Sequence, residues 1–324
     1  MSRAIGLLSG GLDSMLAVRV LQQQRVDILG VAFVTPFFGS ARAESAAAFL
    51  GIPLRAIDIT EVHFEIVKRP PHGWGRNMNP CIDCHALMLR TAGRIAEAEG
   101  YDFLFTGEVL NERPMSQTLP SLRTVAKTSG YPDIILRPMS AKLLDPTKPE
   151  REGLIDREQL LALSGRSRKP QMELAKRFGI ADYPSPAGGC SLTDPGYSKR
   201  LRELLDHEPE AAIDDVRLLS LGRHFRLGAH TKLVLGRNKD ENGRIEAALG
   251  ARDVKLFAAD VMGPTGLVRG PADEAALRLA ASLCARYSDA PRDREAVIRI
   301  VAPGVERDLS VLGATQDAID PLIV

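Results

Sequence analysis

Ala4-Ile5-Gly6-Leu7-Leu8-Ser9-Gly10-Gly11-Leu12-Asp13-Ser14 stands at the start of the chain and decides the reading of its fold. Residues 4–8 form an apolar run of strand length, and Met15-Leu16-Ala17-Val18-Arg19-Val20-Leu21 has the apolar spacing of a helix. Two glycines in the turn between them let the backbone approach an anion, and Ser9 and Ser14 add hydroxyl donors. The new helix directs its free N–H groups and the positive end of its dipole at the same point. No lysine follows the glycines, which excludes the G-x-x-x-x-G-K-S/T loop of ordinary nucleotide hydrolases. The turn reads as a nucleotide-phosphate cradle.

Outward from this loop, strand-like and helix-like segments alternate. Strands are expected at 28–34, 54–59 and 103–105, with helices at 41–50, 61–68 and 84–99. That rhythm predicts an α/β fold, a doubly wound parallel sheet with ligands at the carboxyl ends of its strands. From 149 to 184 the pattern turns helical, with short helices expected at 157–163 and 171–178. Arg166, Arg168, Lys169, Lys176 and Arg177 make this stretch basic. A glycine turn, Ala187-Gly188-Gly189, then carries Cys190, and 197–205 reads as a helix. Beyond Ile213 come β-like runs at 232–235 and 254–257, an amphipathic helix at 274–287 and a last strand at 296–301. The expected organisation is a nucleotide-binding domain over 1–150, a basic helical region over 151–212 and a smaller α+β domain over 213–324.

A chain of 324 residues is long for one core, and 44% hydrophobic with 26% charged residues is the composition of a globular protein in water. No apolar run approaches the length of a membrane span, so a cytoplasmic protein without a membrane partner is expected. Four cysteines make no disulfide framework in a chain this size. The net charge of +1 is silent about nucleic acid, so local distribution carries that question. Between Gly222 and Arg244, Arg223, Arg226, Lys232, Arg237, Lys239 and Arg244 face only Asp240 and Glu241. Such a strip suits RNA phosphates and equally an ordinary solvated face. Within it, Phe225 reads as a core anchor more readily than as a base-stacking ring. Cys284 shares a helical stripe with Leu277 and Ala281 and reads as a core thiol. Trp74 lies in the irregular run Pro70-Pro71-His72-Gly73-Trp74-Gly75, as a lid or as a loop anchor. Glu108, Asn111 and Arg113 follow the Thr106-Gly107 turn closely enough to face a substrate.

Asn79-Pro80-Cys81-Ile82-Asp83-Cys84-His85 is the second chemical feature. Two thiols three residues apart share a helix face, and the dipole at a helix start is expected to lower their pKa. With Cys190 they make three thiols. A closed zinc site needs a fourth ligand, and His85 points off the Cys81–Cys84 face. An iron–sulfur cluster with one open iron, a persulfide-carrying thiol pair and a structural metal all remain open.

The Ser9–Ser14 turn resembles the S-G-G-x-D-S signature of the PP-loop ATP pyrophosphatases. Asn79-Pro80-Cys81, Thr106-Gly107-Glu108, Met115-Ser116-Gln117 and Gly188-Gly189-Cys190-Ser191-Leu192-Thr193-Asp194 follow it in order. Over roughly residues 1–205 this is similar to the tRNA thiolation branch of that superfamily, nearest the tRNA-specific 2-thiouridylases. The resemblance implies a HUP-like sheet and ATP cleavage between the α and β phosphates. A uridine oxygen of tRNA would be adenylated and then replaced by sulfur. It implies that Ser9, Gly10, Gly11 and Ser14 hold pyrophosphate and that Asp13 orients Mg²⁺. Phe33, Thr106 and Gly107 would complete the ATP pocket. Asp13, Cys84 and Cys190 would be catalytic. The extra cysteine, Cys81, is similar to that of members whose three thiolates hold a 4Fe–4S cluster, so Cys81, Cys84 and Cys190 become the expected metal ligands. A sulfide or persulfide carrier would be the sulfur donor. The chain departs from the bacterial 2-thiouridylases in lacking their longer central region and C-terminal barrel. Leu221-Gly222-Arg223-His224-Phe225-Arg226 and Leu235-Gly236-Arg237-Asn238 resemble instead the RNA-binding domain of NFACT-type proteins. A sulfurtransferase or ligase with a non-tRNA acceptor, and a non-catalytic nucleotide- and RNA-binding protein, are the alternatives.

Overall fold

The computed structural model describes residues 2–185 and 189–324. It divides into two compact units, Met1–Asp194 and Pro195–Val324.

In the first unit β1 (Arg3–Leu7), α1 (Leu12–Gln23), β2 (Asp27–Val34), α2 (Ala41–Leu50), β3 (Leu54–Asp58) and α3 (Thr60–Lys68) follow in turn. Then come α4 (Cys81–Glu99), β4 (Phe103–Phe105), α5 (Leu119–Ser129), β5 (Ile135–Leu136), α6 (Lys148–Arg151) and α7 (Lys169–Arg177). The strands form one parallel sheet in the order β3-β2-β1-β4-β5. Both faces are apolar because successive strand residues alternate sides. Ala4, Ile28, Ala32, Phe103 and Phe105 pack with α1 and α2, while Ile5, Leu29, Val31, Phe33 and Leu104 pack with α4 and α5. The strand order turns back at β1, so the crevice beyond the carboxyl ends of β1 and β4 is where such a sheet takes its ligand.

The expected helix at 157–163 is not formed. Asp156 caps a single 3₁₀ turn, Arg157–Gln159, after which the chain extends. Leu161 and Leu163 then donate their N–H groups to the carbonyls of Pro138 and Met139 rather than into a helix.

The second unit contains α8 (Pro195–His207), α9 (Ile213–Leu218), β6 (Arg223–Gly228), β7 (Thr231–Leu235), α10 (Lys239–Ala247) and β8 (Val254–Ala258). It continues with β9 (Gly266–Arg269), α11 (Glu274–Arg286), β10 (Ala296–Ala302), β11 (Val305–Val311) and α12 (Gln316–Ile319). Its antiparallel sheet runs β11-β10-β8-β9-β7-β6. One face is covered by α11, with Phe225, Leu256, Ile298 and Cys284 at the centre of the core. Phe225 and Cys284 are thus core residues, and burial pushes the Cys284 thiol up to about 12. The strand at 296–301 is followed by a further one, β11, and β6 and β9 also went unread in the sequence. Among the described residues no helix is long and apolar enough to cross a membrane.

Candidate active site

The loop after β1 is shaped by its glycines. Gly10 has φ +74°, and a Cβ there would stand 2.4 Å from the Arg42 backbone. Gly11 caps α1 in an extended conformation, and its N–H donates to the Ser9 hydroxyl at 3.3 Å. The Ser14 hydroxyl donates to the Gly11 carbonyl at 2.7 Å. The pKa of Asp13, in the first turn of α1, is raised from its ordinary value by burial, which outweighs the Arg168 and Arg113 charges and a hydrogen bond from Gln171. Its Oδ1 atom, Arg168 Nε and Gln171 Oε1 are all buried without a hydrogen-bond partner. An orphaned carboxylate oxygen beside a phosphate-type loop fits a hard divalent cation such as Mg²⁺. The neighbouring Glu112 is raised by burial and then by the charge of Asp13.

The end of β4 closes over this loop. At Gly107 a Cβ would meet Ser14 N at 2.5 Å and the Asp13 carbonyl carbon at 2.6 Å, so only glycine lets the two segments touch. Gly107→Ala is therefore expected to displace one segment and weaken ATP binding at least about tenfold, a loss of about 1.4 kcal/mol by titration calorimetry. Thr106 is buried and spends its hydroxyl on Glu108 Oε2 at 3.0 Å. Phe33 lies in the core between the sheet and α4.

Glu108 does not face a substrate as expected. It is 6% exposed and bonded to Arg137 Nε and His85 Nδ1, both at 2.9 Å. Burial alone would raise its pKa, but Arg137 and His85 hold it down at about 2. The expected turning away of His85 from the Cys81–Cys84 face has its structural counterpart in this bond.

Pro80 caps α4, placing Cys81 at its first position. The Cys81 sulfur accepts from Asn79 Nδ2 at 3.2 Å. Cys84, one turn on, lies 3.2 Å from His63 Nε2. His63 is 0% exposed and wedged against Phe37 and Phe38, and burial lowers its pKa to about 4, leaving it neutral. The Phe37 carbonyl in turn accepts from the Ser191 N–H at 3.0 Å, which seats Cys190 on the same side of the unit. Pro186, Ala187 and Gly188, part of the expected glycine turn, lie outside the described residues.

The expected lowering of thiol pKa does not hold at Cys84. Burial raises it well above the usual value, and Cys190 and Cys81 raise it further. Burial likewise pushes Cys190 up to about 11. Dehydrating a thiolate outweighs the helix dipole here. The same couplings show that the three thiols, brought from two distant stretches of chain, sense one another. Their soft donor type suits an iron–sulfur centre. Among the described residues, however, no three His, Cys, Asp or Glu side chains stand as a metal-binding group.

His63, Gln171 and Glu112 were not read from the sequence: His63 and Gln171 sit on helices whose apolar pattern gives no sign of the site, and Glu112 lies in a loop. The basic strip of the second unit also changes meaning. Arg226 and Lys232 turn inward to Glu203, at 2.5 and 2.8 Å, and Arg237 pairs with Glu241. Arg223 lies over the Tyr287 ring. The alternation of β6 and β7 sends these side chains to different places, so residues 222–244 are no continuous cationic surface.

Residues 1–142 match the family model described as thiamine biosynthesis protein (ThiI), and residues 222–321 match that of the NFACT protein RNA binding domain. Both resemblances read from the motifs, the PP-loop thiolation enzymes at the N-terminus and the NFACT-type domain at the C-terminus, are met by these models. Among solved structures, a 4-thiouridine synthetase in complex with RNA and bound ATP is 24% identical, with a TM-score of 0.36. That match covers 55% of this chain and 52% of the other. A predicted subunit of tRNA methyltransferase from Methanocaldococcus jannaschii is 16% identical over 55% of this chain and 76% of its own, with a TM-score of 0.36. The C-terminal part of the fibronectin/fibrinogen-binding protein from Streptococcus suis is 14% identical over 48% of this chain and 77% of its own, with a TM-score of 0.30.

Proposed function

We propose that this chain is an ATP-dependent tRNA sulfurtransferase. The reading is supported by a phosphate-type loop at the carboxyl end of β1, closed over by Gly107, in the same unit as Cys81, Cys84 and Cys190. The loop follows β1, Gly107 follows β4, and Cys190 is held by the turn after β2.

A uridine carbonyl oxygen attacks the α phosphorus of ATP, and the bond to the β-phosphate oxygen breaks to release pyrophosphate. N–H groups of the loop and the Ser9 and Ser14 hydroxyls hold the departing anion. Asp13, with Oδ1 free, is the residue that would hold Mg²⁺, which supplies positive charge against the phosphates. The activated carbon then takes sulfur, and AMP leaves with the original oxygen. In the persulfide form of this step, the terminal sulfur on Cys190 forms the bond to carbon. Cys84 then attacks the Cys190 sulfur and frees the thiocarbonyl. The resulting Cys84–Cys190 disulfide is reset by an external thiol reductant. In the cluster form, Cys81, Cys84 and Cys190 are the residues that would hold a 4Fe–4S centre, and that group would supply the sulfur in place of a persulfide.

Bulk tRNA from a strain lacking the gene, digested and examined by mass spectrometry, should lack one thiolated nucleoside. An unchanged set sinks the tRNA reading. Iron and sulfide content after anaerobic purification separates the two sulfur routes: an iron-free protein that still thiolates tRNA assigns the step to the persulfide.

A further inference from the structure

Glu108 is a buried carboxylate that the proposed chemistry leaves without a part. Its two oxygens reach three stretches of chain. Oε1 accepts from His85 Nδ1 at 2.9 Å, on α4 and next in sequence to Cys84. Oε2 accepts from the Thr106 hydroxyl at 3.0 Å, at the end of β4, and from Arg137 Nε at 2.9 Å, just past β5. Arg137 Nη2 donates onward to the Leu122 carbonyl of α5 at 3.3 Å. A carboxylate only accepts hydrogen bonds, so the proton of the first bond sits on His85 Nδ1 and the ring is held in one tautomer.

Neutralising the buried charge does not need His85. Arg137 already gives Glu108 an opposite charge, and both of those side chains are buried, whereas the His85 side chain is 33% exposed. What the His85 bond adds is a join between two parts of the unit. On the β4 side, Gly107 packs against the phosphate-type loop, where a Cβ would meet Ser14 N at 2.5 Å. On the α4 side stands Cys84. The other side-chain hydrogen bonds of residues 81–84 run to Asn79, His72 and His63, on the preceding loop and α3. Among the described residues, His85–Glu108 is thus the side-chain hydrogen bond that ties the thiol-bearing start of α4 to the strand end behind the loop.

We infer that Glu108 is a positioning residue, a strut that acts through His85 to hold Cys84 at a fixed spacing from the ATP loop. The inference rests on the proposed thiolation, in which nucleotide and sulfur act in turn on one uridine. A reacting group displaced by about 1 Å loses about 100-fold in rate, so the sulfur step is the one that a slack strut slows.

His85→Ala leaves Glu108 paired with Arg137 and tests the strut without stranding a buried charge. In a single turnover on a tRNA transcript, with ATP and polysulfide supplied, its pyrophosphate release should stay within about threefold of wild type while thiolated nucleoside forms about 10- to 100-fold more slowly. Asparagine carries its Nδ2 as many bonds from the backbone as His85 carries Nδ1, so His85→Asn should restore the sulfur step to within about threefold. Glutamine reaches to the Nε2 position instead, and His85→Gln should behave like the alanine variant. Rescue by Gln and not by Asn would assign His85 a task through Nε2, and an equal fall of both rates in His85→Ala would assign it to general stability. Either result overturns the strut, as does an alanine variant with wild-type coupling of the two steps. Labelling of Cys84 by N-ethylmaleimide needs no turnover. Losing one such hydrogen bond should let the start of α4 open about five- to tenfold more often, with labelling faster by that factor in His85→Ala and unchanged in His85→Asn. Wild-type protein that releases no pyrophosphate on tRNA sinks the thiolation reading, and the labelling then decides the strut: equal rates in all three proteins overturn it.

Discussion

Asp13→Ala is expected to lower tRNA-dependent release of pyrophosphate by about 100- to 1,000-fold, the loss typical of removing one preorganised charge or donor from a phosphoryl or acyl transfer site. The fold should survive. Burial raises the Asp13 pKa, so the folded state binds a proton at this site more readily than the unfolded chain does. Ionisation above that pKa is therefore a cost to the empty protein, and the group's relative stabilising effect appears as pH falls through it. Without its charge the variant should melt no lower than wild type at pH 7. Asp13→Asn keeps the size and the hydrogen bond from Gln171 but removes the charge, and it should lose as much activity as the alanine variant. An Asn variant with near wild-type pyrophosphate release would show that hydrogen bonding rather than charge is what Asp13 supplies.

Cys190→Ala should abolish the appearance of thiolated nucleoside, at least about 1,000-fold, while pyrophosphate release on tRNA continues. The split is expected because the parts are separately held. The loop, Asp13 and Gly107 are assembled by main-chain contacts. The Cys190 segment is fastened by the Ser191 N–H and by Thr193, whose hydroxyl donates to the Cys190 carbonyl at 2.7 Å. None of these bonds uses the thiol. Thiolated nucleoside can be followed by retardation in a mercury-containing gel, and pyrophosphate by a coupled assay. Cys284→Ala is the control: the residue is buried in the core of the second unit, and thiolation per folded molecule should not change. Thiolation by Cys190→Ala at the wild-type rate would remove Cys190 from the sulfur path.

The first sheet was legible because its inner strands β1, β2 and β4 are buried on both faces, which writes a continuous apolar run into residues such as 28–34. β6 and β11 were not, because Arg223–Gly228 and Val305–Val311 carry charged side chains on exposed or ion-paired positions. The helix expected at 157–163 had suitable spacing but lost to pairing with residues 138–139, a competitor far away in sequence. Likewise the cationic strip was a true feature of composition, and Glu203 on α8 dissolved it by pairing with Arg226 and Lys232.

Local covalent order fixes what a tight turn can do, so the chain by itself determined the phosphate-type loop: Gly10 must adopt positive φ, Ser9 and Ser14 must flank it, and Asp13 must open the helix. Tertiary structure alone decided which groups lose water and which charges meet. It set Gln171 and Arg168 beside Asp13, buried Glu108 against Arg137, and put neutral His63 on Cys84. It also raised the Cys84 thiol, which a helix start was expected to lower. Desolvation and Coulomb interaction depend on distances through space, and neither can be read along a chain until the fold has closed those distances.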